Sequence, residues 1–179
     1  TGKVTDAKGQ PVVDVFVGAM AVRDQNDQPV PPRGIRLGRV ALTDDRGIFR
    51  IYGLESASYV VVANGRPHPY RPSLSSEAPT FYPSSATRED AVAVTVRTGQ
   101  EVEDIDIRYK GERGYSIRGV VTGVTEPGDR PSVSLSRVNG SEQRSTGTHE
   151  DGNRFKFAFD GLPDGEYELT ARRENSRTS

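Results

Sequence analysis

Cysteine is absent from this 179-residue chain, and histidine occurs only twice, at His68 and His149. Without cysteine the chain has no disulfides, no thiolate metal sites and no cysteine nucleophile. Two histidines are too few for an ordinary catalytic zinc site, which takes three protein ligands. No G-x-S-x-G motif for a serine nucleophile occurs either. We therefore expect no catalytic residue, no metal and no cofactor.

The chain also lacks an excess of charge of one sign and a long apolar run. Its 24 Lys+Arg nearly balance 25 Asp+Glu, so no overall field attracts a polyanion and we expect no nucleic-acid partner. The longest apolar run is the five residues from Tyr59 to Ala63. A membrane helix takes roughly 20 apolar residues, so we expect no membrane insertion of this fragment.

The chain does contain short segments in which apolar and polar residues alternate with a period of two. Its 19 glycines and 12 prolines separate these segments. This alternation is typical of strands that bury one face, and it predicts an all-β fold. The predicted strands are 13–17, 48–52, 58–63, 91–96, 102–108, 115–122, 132–138, 154–159 and 167–171.

Two parts of the sequence repeat each other. FRIYGL at 49–54 and YVVVA at 59–63 recur, at an offset of 108, as FAFDGL at 157–162 and YELTA at 167–171. More loosely, GKVT at 2–5 corresponds to GVVT at 119–122. The repeat predicts two tandem modules, 1–110 and 111–179, joined by a short charged hinge at 110–114. The second module stops before any counterpart of 92–108, so we expect it to lack a last strand or to borrow one.

Three motifs in the first module carry a family resemblance: G-x-V-x-D-x-x-G-x-P at 2–11, T-D-D-x-G-x-F-x-I-x-G-L at 43–54 and Y-x-V-x-A at 59–63. Together they resemble the carboxypeptidase regulatory-like domain. The resemblance implies two tandem transthyretin-like antiparallel β-sandwich modules, Greek-key and immunoglobulin-like, the second C-terminally incomplete. Phe49, Tyr59, Phe157 and Tyr167 occupy equivalent strand positions and are predicted to be buried.

Residues 25–39 and 66–90 lengthen two loops relative to the family. Long loops in compact domains are either functional or disordered, so we place the candidate binding site in the insertion 66–90. Tyr70, Phe81 and Tyr82 would stack on sugar rings, and Arg66 and Arg71 would donate hydrogen bonds. The alternative, which we favour because an unanchored long loop bears the full entropy of ordering, is that Phe81 and Tyr82 pin the insertion against the sandwich as a hydrophobic clasp.

Paired carboxylates raise the question of calcium, which takes six to eight oxygen ligands. Asp44 and Asp151 are expected instead to accept backbone hydrogen bonds in turns, and Asp104 and Asp106 to line a solvent face. His68 is expected to be a solvated loop residue, and His149 a turn residue. These roles leave no metal site.

The chain starts within a predicted strand, at residues 2–5, so we expect it to be a fragment of a longer protein. Our leading hypothesis is a non-catalytic accessory or spacer module of a larger exported bacterial protein. Its partners would be neighbouring domains of the same polypeptide, or an envelope protein or glycan. One alternative is a carbohydrate-binding module; another is an N-terminal extension of an outer-membrane transporter. Export to the periplasm, outer membrane or exterior is implied by the resemblance alone.

Overall fold

A computed structural model describes residues 1–30, 39–65, 76–123, 130–140, 143–152 and 154–174. Every regular element in these ranges is a β-strand, which confirms the all-β prediction. No helix in the described part of the chain is long and apolar enough to cross a membrane.

The N-terminal half (residues 1–110) contains β1 (Gly2–Thr5), β2 (Phe16–Arg23), β3 (Arg39–Leu42), β4 (Ile48–Phe49), β5 (Ala57–Ala63), β6 (Thr80–Phe81), β7 (Ala93–Val96) and β8 (Ile107–Arg108). The C-terminal half (residues 111–179) contains β9 (Tyr115–Val121), β10 (Arg130–Arg137), β11 (Gln143–Gly147), β12 (His149–Asp151), β13 (Arg154–Leu162) and β14 (Tyr167–Glu174).

Two sheets face each other in the N-terminal half. One has the order β4-β1-β8, in which β1 is antiparallel to β4 and parallel to β8. The other has the order β3-β2-β5, and β6 and β7 share the remaining edge of β5. Side chains of both sheets form one buried cluster, including Val4, Phe49 and Ile107 from the first and Val17 and Val61 from the second. This packing is that of a β-sandwich.

Strand β5 is buried on both faces, which explains its unbroken apolar sequence. Tyr59 and Val61 face the main core, whereas Val60 and Val62 join a second cluster with Met20 and Phe81. The outer face of this sheet therefore carries a small core of its own.

Two antiparallel sheets also make up the C-terminal half, with the orders β12-β13-β9 and β11-β10-β14. The buried cluster between them holds Val133 and Leu135 from β10 with Phe159 and Leu162 from β13. Partly buried side chains around this cluster are Ile117, Val121, Phe157 and Tyr167.

The two halves share one pairing scheme. The pair β1–β4 corresponds to β9–β13, and the order β3-β2-β5 corresponds to β11-β10-β14. The register agrees as well, because Gly2 lies opposite Phe49 and Gly119 lies opposite Phe157. Descent of the halves from one duplicated module stays a prediction, as do the boundaries 1–110 and 111–179.

Two strands begin later than predicted because a residue with positive φ precedes them. Asp14 has φ 58°, so β2 begins only at Phe16, and Val13 is 36 % exposed instead of sharing the buried face of Val15. Asp104 has φ 60°, and the predicted strand 102–108 contracts to β8. A left-handed residue turns the chain and breaks the alternation of side chains.

Candidate functional site

The predicted site in the insertion 66–90 divides into a part that the structure describes and a part that it does not. Arg66, Tyr70 and Arg71 lie outside the described residues. Stacking on a sugar would require an exposed Phe81 ring, but Phe81 is only 2 % exposed, as the clasp interpretation expects. In β6 it pairs with Val62, so its side chain lies on the same sheet face as that buried residue.

Tyr82 is half-buried and packs against the main core. Its amide donates to the carbonyl of Val61 at 2.9 Å, and its carbonyl accepts from the amide of Val92 at 3.0 Å. The described part of the insertion is therefore held against the sandwich, as in the clasp alternative.

Asp44 accepts backbone hydrogen bonds in a turn, as the sequence predicts. Its Oδ1 accepts the backbone amides of Arg46 at 3.0 Å and Ile48 at 2.7 Å. Asp106 accepts the amide of Lys3 at 2.9 Å, so it joins β1 to the segment of β8. In the described ranges no three His, Cys, Asp or Glu side chains are grouped to hold a metal ion.

His149 lies in β12 opposite Lys156, so its prediction as a turn residue is wrong. The neighbouring Asp151 forms an ion pair with Lys156. The hydrogen bond from Lys156, followed by its charge, lowers the pKa of the Asp151 carboxyl. This is a solvent-exposed pair at a strand end.

A cleft of about 360 Å³ opens between the two sheets of the N-terminal half, at a place that the sequence analysis did not predict. Its inner walls are mostly apolar and come from both sheets. They include Phe49, Tyr59, Val61, Val94 and Ile105.

The rim of this cleft is polar and aromatic. Arg50 Nη2 lies 2.5 Å from Glu101 Oε1, and both side chains are about half exposed. The Arg50 guanidinium carbon lies 5.2 Å from the ring centroid of Tyr52, which is 66 % exposed. A guanidinium over a ring at this distance makes a cation–π contact. The cleft can thus present an exposed ring beside a small apolar opening.

Tyr59 supplies the only phenol on the described inner wall of the cleft. Burial raises the pKa of Tyr59, and the Glu55 carboxylate raises it further, against a smaller opposite effect of its backbone hydrogen bond. The hydroxyl is therefore protonated at neutral pH, and it donates to the carbonyl of Glu55 at 2.9 Å. This environment suits a structural hydrogen bond better than proton transfer near neutral pH.

Sequence reasoning missed the cleft because its rim joins distant residues. A comparison of the two repeated segments could have pointed to the rim residues, however. Arg50 and Tyr52 stand where the second copy has Ala158 and Asp160, so the rim residues depart from the pattern that the flanking core residues keep.

The predicted hinge at 110–114 is bound to the N-terminal half. Ala78 N donates to Glu112 O at 2.9 Å, and Gly114 N donates to Ser76 O at 2.8 Å. A Cβ atom on Gly114 would lie 2.5 Å from the backbone of Gly161, so the hinge also touches the C-terminal half. Only glycine permits such a close approach of two backbones.

Comparison with family models, curated proteins and solved structures finds no match to this chain.

Proposed function

We propose that the chain is a non-catalytic spacer that holds neighbouring domains of one polypeptide at a fixed separation. The observation that carries this proposal is the attachment of the hinge to both halves. An isolated antiparallel bridge joins Arg113 to Glu77, with one backbone hydrogen bond on each side of it, and Gly114 packs against Gly161. Its placement in an exported bacterial protein rests on the resemblance to carboxypeptidase regulatory-like domains.

The contacts of the hinge restrict its backbone, although its sequence suggests a flexible segment. A free five-residue segment with two glycines would behave as a flexible coil. Here Glu112 and Gly114 are each tied by a backbone hydrogen bond, and each such bond contributes about 0.5–1.5 kcal/mol. Together with the glycine contact, these bonds favour one arrangement of the halves over many.

Distance measurement by double electron–electron resonance tests this stiffness. The natural chain has no cysteine, so Asp45→Cys and Glu168→Cys introduce spin labels at two exposed sites only. We expect a narrow distance distribution. The variant Ala78→Pro removes the Ala78 amide that bonds to Glu112 and should broaden the distribution.

Ala7→Pro is the matched control. Ala7 directly follows Asp6 and is the second residue of a turn, a position at which proline is common. This variant should leave the distribution narrow. A label pair inside the N-terminal half shows whether Ala78→Pro preserves the sandwich. A broad distribution in the parent chain would contradict the spacer function.

A carbohydrate-binding module is the second candidate, and Tyr52 favours it. Its exposed ring lies beside the cleft, and aromatic faces of this kind can stack on sugars. We place the stacking ring at Tyr52, since Phe81 is buried. A glycan array with the parent chain would show binding that Tyr52→Ala removes.

Tyr115→Ala provides the control for general loss of an exposed ring, since Tyr115 is 64 % exposed and lies in the C-terminal half. It should retain any glycan binding. No response from the parent chain, or equal loss in both variants, would remove this second candidate.

A further inference from the structure

Strand β9 has an open edge at the position that β8 fills in the N-terminal half. There, β1 lies between β4 and β8. Its counterpart β9 pairs with β13 on one edge, and on the other edge it has no partner among the described residues. The described part of the C-terminal half thus contains no counterpart of β8.

Core residues next to the open edge are less buried than their counterparts. Val4 and Phe49 are 0 % and 3 % exposed, whereas the corresponding Val121 and Phe157 are only half-buried. In the N-terminal half, alternate side chains of the β8 segment cover Val4 and Phe49. These are Ile105, Ile107 and Tyr109, all buried in the same cluster.

Backbone groups are also available at this edge. In the N-terminal half the amide of Lys3 points toward the β8 segment and donates to Asp106, while Thr5 O accepts from Tyr109 N at 2.7 Å. The sequence correspondence places Val120 and Thr122 at the equivalent positions of the C-terminal half. Their amide and carbonyl can therefore extend a parallel ladder.

The other edge strands of the C-terminal half are protected against pairing. Strand β12 has three exposed residues, two of them acidic, and β11 is polar over its whole length. Strand β14 carries four charged residues. Strand β9 has seven residues, no proline and a single charge, at Arg118. Natural sheets usually block exposed edges with short strands, charges or proline, and β9 uses these devices least.

We propose that the open edge of β9 binds an extended peptide segment of a protein partner. The segment adds parallel to β9 and carries branched aliphatic or aromatic side chains at alternate positions, as Ile105, Ile107 and Tyr109 do. Main-chain hydrogen bonds supply affinity, and the alternate side chains cover Ile117, Val121 and Phe157. The proposal is independent of the stiffness of the hinge.

A peptide of residues 101–110, taken from the β8 segment of this chain, is the probe. It is titrated into the isotope-labelled full chain, and amide exchange is followed by NMR. We expect the Val120 amide to exchange at least about tenfold more slowly at saturation, with shift changes along β9. A peptide carrying Ile105→Ser and Ile107→Ser should not bind.

Val120→Pro removes the amide at the open edge and should weaken peptide binding about two- to tenfold, the equivalent of one backbone hydrogen bond. Val120→Ala keeps that amide and serves as the matched control. If the proline variant fails to fold, the Val120 exchange measurement decides alone.

Several outcomes would overturn the proposal: no binding of the peptide, or shift changes confined to the N-terminal half. Protection of the Val120 amide in the free chain would do so too. If that protection grew with protein concentration, the occupant would be a second copy of this chain instead of a partner.

Discussion

The Tyr59 hydroxyl donates a hydrogen bond to the carbonyl oxygen of Glu55, four residues earlier in the chain, at 2.9 Å. At the equivalent place in the C-terminal half, Tyr167 makes the same bond to Pro163 at 2.7 Å. Each tyrosine ties its own strand to the segment that precedes it. The bond gives both rings a fixed direction into the core, and immunoglobulin-like sandwiches use a comparable tyrosine corner.

Loss of the Tyr59 hydroxyl should destabilise the N-terminal half while leaving its packing intact. We expect Tyr59→Phe to lower the free energy of unfolding by about 0.5–1.5 kcal/mol, the net value of a hydrogen bond. Tyr59→Ala should cost about 3–5 kcal/mol, because the ring is buried. Urea denaturation measures both. Equal stability of Tyr59→Phe and the parent would show that the hydrogen bond contributes nothing.

The free energy of unfolding should also fall at alkaline pH, because the Tyr59 hydroxyl then loses its proton. Since burial raises the pKa of Tyr59, the folded chain holds this proton more tightly than the unfolded chain does. The contribution is complete below the unfolded pKa of about 10 and is lost as pH rises through the folded value. Unfolding measured between pH 8 and 11 should show this loss, which Tyr59→Phe diminishes. A parent curve identical to that of Tyr59→Phe would contradict the assignment.

Thr43, just after β3, makes a buried contact with Val15, just before β2. Its hydroxyl accepts the amide of Val15 at 2.9 Å, and both residues are buried. Thr43→Val keeps the shape but leaves that amide without its acceptor, so we expect a loss of about 1–3 kcal/mol. Thr43→Ser keeps the hydroxyl and serves as control. Amide exchange at Val15 separates the two, because only the valine variant should lose protection there.

Phe81 tests whether the end of the insertion packs onto the sheet. Phe81→Ala should destabilise the chain by about 3–5 kcal/mol, since a buried ring leaves a cavity beside Met20 and Val62. Phe81→Leu should cost less than about 1.5 kcal/mol. Thermal or urea unfolding gives both values. If Phe81→Ala unfolded like the parent, the ring would be exposed and available to a ligand.

The sequence predicts the core strands β4, β5, β13 and β14 because their apolar side chains alternate and recur. Since only a few residues separate the two strands of each copy, a hairpin is the expected connection. That expectation is wrong, because β4 and β5, like β13 and β14, lie in different sheets. Phe49 is buried in the N-terminal core, and Phe157 and Tyr167 pack against the C-terminal core, as their repeated spacing indicates. Tyr59 is buried too, and it lines the cleft between the N-terminal sheets. Edge strands lack such a signal. Val40 and Leu42 of β3 are exposed, and β11 and β12 are polar, so no buried face appears in their sequences.

The candidate sites depend on tertiary contacts that no local pattern contains. Arg50 and Glu101 meet across 51 residues of sequence to form the cleft rim. Phe81 follows a proline-rich stretch that is typical of an exposed loop, yet pairing with β5 buries its ring. Local composition determines whether such a segment prefers a loop or a strand. Pairing with a neighbouring strand then determines which of its side chains are buried.

The shared register of the two halves is the central claim, and backbone nuclear Overhauser effects measure it most directly. The account predicts cross-strand effects between Gly2 and Phe49 in the N-terminal half and between Gly119 and Phe157 in the C-terminal half. A slip of one residue in either ladder would turn its buried side chains toward solvent. Observation of such a slip, or of no contact between Gly119 and Phe157, would contradict the account.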